Sequence, residues 1–303
     1  MMKFWIYPLL VIIASSSYGI LSSIVKLAIK DGYSASQAVT SQYFIGFLIA
    51  ILLYVIIQHK RPRFGGGWTL IFAGFFTALT GIVYGKTVEY MPASLAVVML
   101  FQFTWIGMLF DCIARRRFPK RVEVISLVFL FSGTIFAAGI LNVDLSGIPW
   151  QGWAFGLASA TSFASFVMAN QKAVEGMDTT TRLLFTSFFA AIVILFFQSP
   201  EIVWTGQLFT SSLLLYGLIL GLFGIIIPIY LFSIAVPKVG TAMTSILSAM
   251  ELPVAMTASV VLVGEHITFM QIIGIFIILT GMTLPSLAQR RLKRLPPKTS
   301  ELL

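Results

Sequence analysis

TSSLLLYGLILGLFGIIIPIYLFSIA, residues 210–235, contains no charged side chain from end to end. An α-helix needs about 20 apolar residues to cross the hydrocarbon core of a bilayer, so this stretch is long enough to span one. Working outward, comparable runs lie near 181–198 and 151–173 on one side and near 240–263 and 267–288 on the other. Five more precede them, near 5–29, 36–57, 68–90, 92–113 and 122–141. Charges, prolines and glycines mark the gaps. The third and fourth runs are parted only by Met91-Pro92, the eighth and ninth by little more than Pro237-Lys238.

The composition agrees with a lipid solvent. Of 303 residues, 58% are hydrophobic and 10% charged, with mean hydropathy +0.96. Soluble domains carry about a quarter charged residues, so too few polar groups exist here to cover a water-facing surface. In lipid every backbone N–H and C=O must be satisfied within the protein, which makes the helix the default spanning element. The expected fold class is an all-α integral membrane protein of ten transmembrane helices. The first run follows a single Lys3 but is long enough to span, and is read as a retained helix rather than a signal peptide.

Charge placement sets the expected topology. The net charge of +9 falls largely in short clusters between runs: Lys60, Arg61 and Arg63; Arg115, Arg116, Arg117, Lys120 and Arg121; Arg290, Arg291, Lys293, Arg294 and Lys298. Lys172, Arg182 and Lys238 are expected in loops of the same side, whereas Lys30, Asp31, Asp144, Glu201 and Glu265 mark the other. Basic loops stay cytoplasmic, so both termini are expected inside a multi-pass protein of the cell (inner) membrane. That pattern leaves no nucleic-acid partner to expect. Cys112 is the one cysteine, so no intramolecular disulfide can form. No Walker, HExxH or Gly-x-Ser-x-Gly spacing is present, and neither a metal, a cofactor nor a catalytic residue is expected.

The halves can be laid over one another. Ser15-Ser16-Ser17-Tyr18-Gly19 aligns with Ala160-Thr161-Ser162-Phe163-Ala164, which puts Lys26 over Gln171. Ala93 through Thr104 aligns with Ala242 through Pro253, which puts Gln102 over Glu251. Ser132-Gly133 and Thr280-Gly281 close the match. A repeat of five spans must be inverted, and inverted repeats are a common build of secondary transporters, with substrate bound between the halves. The expected division is 1–145 and 146–288 as two five-helix repeats around a central cavity, with 289–303 as a basic cytoplasmic tail.

The run from Gly240 to Pro253 (GTAMTSILSAMELP), followed by Gly264-Glu265, Gln271 to Gly274 and Thr280-Gly281, resembles EamA-type members of the drug/metabolite transporter superfamily. The resemblance implies ten helices around a cavity and export of amino acids or similar small metabolites. The chain departs from the pattern with Arg115-Arg116-Arg117 where the second half has Gly264-Glu265, and with Gln42 where relatives often carry Arg.

Ionisable groups inside spans are functional candidates by default. Glu251 lies halfway along the ninth run, two residues before Pro253, whose missing N–H and ring free carbonyls near residue 249. A carboxyl in low dielectric favours its neutral form, so Glu251 is a candidate for substrate binding, for proton coupling, or for an interhelical hydrogen bond. Gln102, beside Trp105, is its counterpart. Tyr18 and Tyr84, with Tyr43 and Tyr230, could line a cavity. Lys26, Lys86 and Glu89, near the outer ends of their runs, are either gate candidates or long side chains that reach the outer headgroups, and Lys86 and Glu89 share a helix face. Asn170 and Gln171 are either an inner counterpart of the Lys26 region or ordinary polar termination. Trp5, Trp68, Trp150 and Trp153 fit interfacial anchors. Glycines 217, 221 and 224 with Pro228 allow close approach and a kink. The expected function is secondary transport of a small-molecule substrate by alternating access. A passive channel or facilitator, a non-transporting receptor, and a homodimer remain open alternatives.

Overall fold

The computed structural model describes residues 3–65, 67–91, 93–139, 147–172, 176–198, 200–210, 212–264 and 266–294. Pro92, Asp144, Glu265, Lys298 and the 145/146 boundary lie outside them, as do the side chains of Trp5 and of the basic residues from Arg290 to Arg294. Every regular element among the described residues is helical, and 8 helices are long and apolar enough to cross a membrane.

The elements are α1 (Lys3–Lys30), α2 (Ala35–Gln58), α3 (Trp68–Tyr90), α4 (Ala93–Leu100), α5 (Phe103–Ala114), α6 (Arg121–Ala137), α7 (Trp150–Gln171) and α8 (Thr179–Phe197). Short helices α9 (Glu201–Trp204) and α10 (Gln207–Thr210) lead into α11 (Leu213–Gly221). A π-helical turn, Leu222–Ile226, joins α11 to α12 (Ile227–Val239). Then come α13 (Thr241–Leu247), a 3₁₀ turn at Ser248–Met250, α14 (Glu251–Ala258), a second π turn at Ser259–Val263 and α15 (Phe269–Arg294). α6, at 17 residues, and the apolar part of α15, Phe269–Pro285, are shorter than these 8.

Local chemistry explains the ends. Ser34 caps α2 by accepting from the Gln37 N–H, while Gln37 accepts from the Ser34 N–H. Asp178 caps α8 through the Thr181 N–H and both threonine hydroxyls. The break after α12 falls at Gly240, not at Pro237-Lys238, which continue the helix. Gly240 has φ +86°, a left-handed conformation that favours glycine, and a Cβ there would lie 2.8 Å from Arg115 Nη2. The kink expected near Pro228 is the π turn just before it.

Packing runs across the two halves of the chain. α1 lies on α12 and α14, α2 on α11 and α8, α3 on α7 and α8, α5 on α7 and α13, and α6 on α15. Small residues set the closest approaches, since lipid gives helices no hydrophobic reason to associate and tight contact must supply it. A Cβ on Gly274 would meet the Ala137 nitrogen at 2.3 Å, and one on Gly74 would meet the Thr186 carbonyl at 2.6 Å. Buried serines and threonines return their hydroxyls to carbonyls a turn earlier, as Ser15 does to Val11 and Thr134 to Leu130. Trp68 and Trp150 open α3 and α7 and are both exposed.

Candidate functional site

Two interrupted helices define the interior site. In the second half the helix tightens to 3₁₀ at Ser248–Met250 and resumes at Glu251. Pro253 offers no N–H, so the turn before it cannot complete the ordinary ladder. In the first half the run expected to be one helix is two, parted at Phe101-Gln102. There the Gln102 and Thr104 N–H groups bond three residues back, to Met99 and Phe101. Gln102 Nε2 donates to the Val98 carbonyl at 3.1 Å, and Trp105 Nε1 donates to Gln102 Oε1 at 2.8 Å. The sequence alignment of Gln102 with Glu251 thus brings the two discontinuities into register.

Glu251 faces the inside of the bundle. Gly19 of α1 presses on its backbone: a Cβ there would lie 2.5 Å from the Glu251 carbonyl oxygen. The Tyr18 and Tyr84 hydroxyls are both within electrostatic reach of its carboxyl. Glu251, Gln102, Trp105, Tyr18 and Tyr84 are all half-buried, although they lie among buried residues. Among the described residues the Tyr18 hydroxyl makes no hydrogen bond, with Thr77 as a polar neighbour short of bonding geometry. Ser15 ties α1 to the 3₁₀ turn through Ser248, at 3.1 Å. Tyr43, by contrast, is buried and donates to the Thr77 carbonyl at 2.8 Å.

An aromatic wall continues from Tyr18. Its ring centroid lies 5.9 Å from Phe163 and 6.1 Å from Phe232; Phe163 stands 4.7 Å from Phe103, and Phe166 6.0 Å from Phe232. These are edge and tilted contacts of the kind that aromatic quadrupoles favour. Tyrosines alone stood out in the sequence; the phenylalanines are 4 among 27 and carry no spacing signal.

A polar cluster centred on Asp111, which the sequence did not single out, joins helices at the end of the bundle where the basic clusters gather. Asp111 is 2% exposed and accepts from Arg115 Nε at 2.9 Å, Arg117 Nη2 at 2.7 Å and Gln171 Nε2 at 3.2 Å. Arg117 also pairs with Glu123 at 2.8 Å. The chain turns back through Arg116, at φ +50°, which returns Arg117 beneath Asp111. Glu123 first, then Asp111, holds the Arg117 guanidinium charged well beyond its ordinary range, against the opposing effect of burial. Gln171 reaches Thr241 Oγ1 at 3.0 Å, so α5, α6, α7 and α13 are all joined here. Gln171 is therefore a bridging residue and more than a helix terminus.

Arg182 lies in α8, 5% exposed, and donates to the Ser233 carbonyl at 3.0 Å. This corrects its expected place in a loop: the helix begins at Thr179, so residue 182 is already a turn inside. At the opposite end Lys86 and Glu89 form an exposed pair at 2.8 Å, while Lys26 is half-buried on α1. Tyr216 donates to Asp31 at 2.6 Å across that end.

Residues 150–287 match the model of a family described as the EamA-like transporter family, the family that the sequence resembles. No protein of curated function matches the chain. A solved crystal structure of another protein is similar, with 16% identity and a TM-score of 0.71, over 95% of this chain and 98% of that one. At that identity the likeness speaks for the fold alone.

Proposed function

The second half of this chain, residues 150–287, is EamA-like, and we propose that the whole is a secondary transporter working by alternating access. Its ten spans are the 8 long helical stretches together with α6 and α15, arranged as two inverted five-helix repeats. Two features support that arrangement. The interruptions at Gln102 and Glu251 correspond, and the pairing of helices survives exchange of the halves: α3 on α7 mirrors α12 on α1, and α2 on α11 mirrors α8 on α3.

One observation carries the transport reading: a carboxyl at an interrupted helix packed on Gly19 of α1, with the Tyr18 and Tyr84 hydroxyls within its electrostatic reach. A carboxyl inside a spanning helix is too costly to keep as filler. Glu251 serves as binding or proton-exchange group, with Gln102 and Trp105 as its partner level. The aromatic wall suits a substrate with an apolar body, such as an amino acid. The Asp111 cluster shuts the cytoplasmic end, and release runs past Lys86 and Glu89 toward the outside, the direction of export from the cell membrane with both termini inside.

The test compares external metabolites from cells overexpressing wild type or Glu251→Gln at equal membrane levels. Selective accumulation with the wild type, lost or made insensitive to external pH in the variant, is expected. Equal accumulation from both would leave Glu251 an interhelical hydrogen-bonding group, and none from either would refute the exporter.

A further inference from the structure

Arg182 is a buried charge that nothing described so far neutralises. It is 5% exposed; Nη1 donates to the Ser233 carbonyl, Nε is buried without a partner, and among the described residues it joins no ion pair. A guanidinium keeps its proton at any physiological pH. A buried cation facing one neutral carbonyl is strongly unfavourable, because the lost hydration is not replaced. The carboxylates described at this end of the bundle go elsewhere: Asp111 and Glu123 pair with Arg115 and Arg117, both more exposed than Arg182, and Asp178, one turn before Arg182, is taken up by the Thr181 N–H and the hydroxyls of Thr180 and Thr181. Beside its one acceptor, Ser233, the described polar group is a further dipole. Asn170, 2% exposed, donates from Nδ2 to the Phe166 carbonyl, and its Oδ1 lies 3.5 Å from Ser233 Oγ.

We propose that Arg182, with Asn170 and Ser233, forms a carboxylate-binding station at the cytoplasmic end of the bundle, occupied by the carboxylate of the transported solute when the Asp111 cluster opens. This deepens the transporter reading, on which its purpose rests, by naming the substrate class: an organic anion or zwitterion with an apolar body. Two fully buried rings lie alongside, available to the apolar body once the Asp111 cluster opens. Phe166 precedes Asn170 by one turn, Phe232 adjoins Ser233, and their rings lie 6.0 Å apart. The station is distinct from Glu251. Ten residues of helix, about 15 Å at 1.5 Å per residue, separate Glu251 from Thr241 at the Asp111 end, whereas Arg182 is only one turn inside α8 from that end. The nitrogen and carboxyl carbon of one α-amino acid are only about 2.5 Å apart. A single zwitterion therefore cannot hold Glu251 and Arg182 at once, and the two residues serve successive positions of the solute.

The test is thermal unfolding of the purified full chain in detergent with sodium 3-phenylpropionate, its neutral amide 3-phenylpropanamide, or sodium chloride at matched ionic strength. A ligand that binds only the folded state raises the midpoint, by about 2 °C at ten times its Kd for a chain of this size. The carboxylate is expected to raise the wild-type midpoint, with little effect from the amide or chloride. Arg182→Gln is expected to abolish the rise and Arg182→Lys to keep part of it. Asn170→Asp, which supplies an internal counter-charge, is expected to raise the midpoint without ligand and to remove the response to it. That variant keeps the test decisive if Arg182→Gln fails to fold. No rise in the wild type, an equal rise with the amide, or a rise unchanged in both Arg182→Gln and Asn170→Asp would overturn the station. An equal rise with chloride would overturn its assignment to the solute's carboxylate. None of these readouts requires transport, so their failure is separable from failure of the exporter itself.

Discussion

Asp111→Asn should unlock the basic end, and the chain carries its own reporter for it. The substitution keeps the shape of the side chain and removes the charge that faces Arg115, Arg117 and Gln171 at 2.9, 2.7 and 3.2 Å. Arg115 is half exposed and largely served by water, so its contact counts for little. Arg117 is a quarter exposed and keeps Glu123, but loses its shorter bond. One hydrogen bond to a charged group is worth about 1.5–3 kcal/mol, so a net loss of about 2 kcal/mol is expected. That corresponds to about 30-fold in the equilibrium between closed and open ends. Cys112, the one thiol in the chain, is 8% exposed and packed with Leu127 of α6 and Ala242 of α13, the helices that must part. When opening is fast relative to chemistry, maleimide labelling follows the open population. Labelling of Asp111→Asn should therefore run about 30-fold faster than wild type in the same detergent. Unchanged labelling of a variant with wild-type circular dichroism would refute the role of Asp111 as a lock. The same acceleration from Glu89→Gln, at the far end, would refute its locality.

One glycine substitution should change sign with position. Gly274→Ala places a Cβ 2.3 Å from the Ala137 nitrogen, so α6 and α15 must part; overpacking of this kind costs about 1–3 kcal/mol and should lower the unfolding midpoint. Gly85→Ala, with nothing within 4 Å of the new Cβ, should raise stability by about 0.5–1 kcal/mol through helix propensity. Equal midpoints for the two would break the argument. Asp178→Ala removes the cap of α8 and should destabilise by about 0.5–2 kcal/mol at neutral pH. Burial pushes the Asp178 carboxyl up, but bonds from Thr180, Thr181 and the Thr181 N–H outweigh it and hold the group below its ordinary value. A lowered folded-state value means that its contribution is complete above the unfolded pKa, about 3.9, and is lost as pH falls through the folded one. The gap between variant and wild type should thus narrow in melts below about pH 4, and a gap constant down to pH 2 would contradict this assignment.

The helical stretches were legible because charges, proline and glycine punctuate them, and most expected boundaries fall within a few residues of the observed ones. The interruption at Phe101-Gln102 was not, since neither proline nor glycine marks it; it is visible only against its counterpart at Glu251. Glu251, Gln102 and Trp105 announce themselves as polar or amphipathic groups deep in apolar runs. Asp111 does not: it lies at the end of the run near 92–113, four residues before an arginine triplet whose charge overshadows it, and its importance depends on Gln171 arriving from α7. Arg182 was hidden in the same way. Thr179-Thr180-Thr181 looks like loop, yet the threonines at 180 and 181 are buried along a polar face. Pairings between distant elements are set by tertiary packing, and no local pattern encodes them.

On the proposed topology, Arg115 and Arg117 act at two stages of the protein's life. While the nascent chain is being threaded into the bilayer, their positive charge marks a loop to be held back, and a nearby aspartate hardly weakens that signal. Once the bundle closes, the same arginines are taken up by Asp111 and Glu123. A genetic change there would thus be read twice, first as an error of orientation and only afterwards as a fault in the lock. Phenotypes of charge-altering alleles at these positions should be sorted by topology mapping before they are attributed to transport.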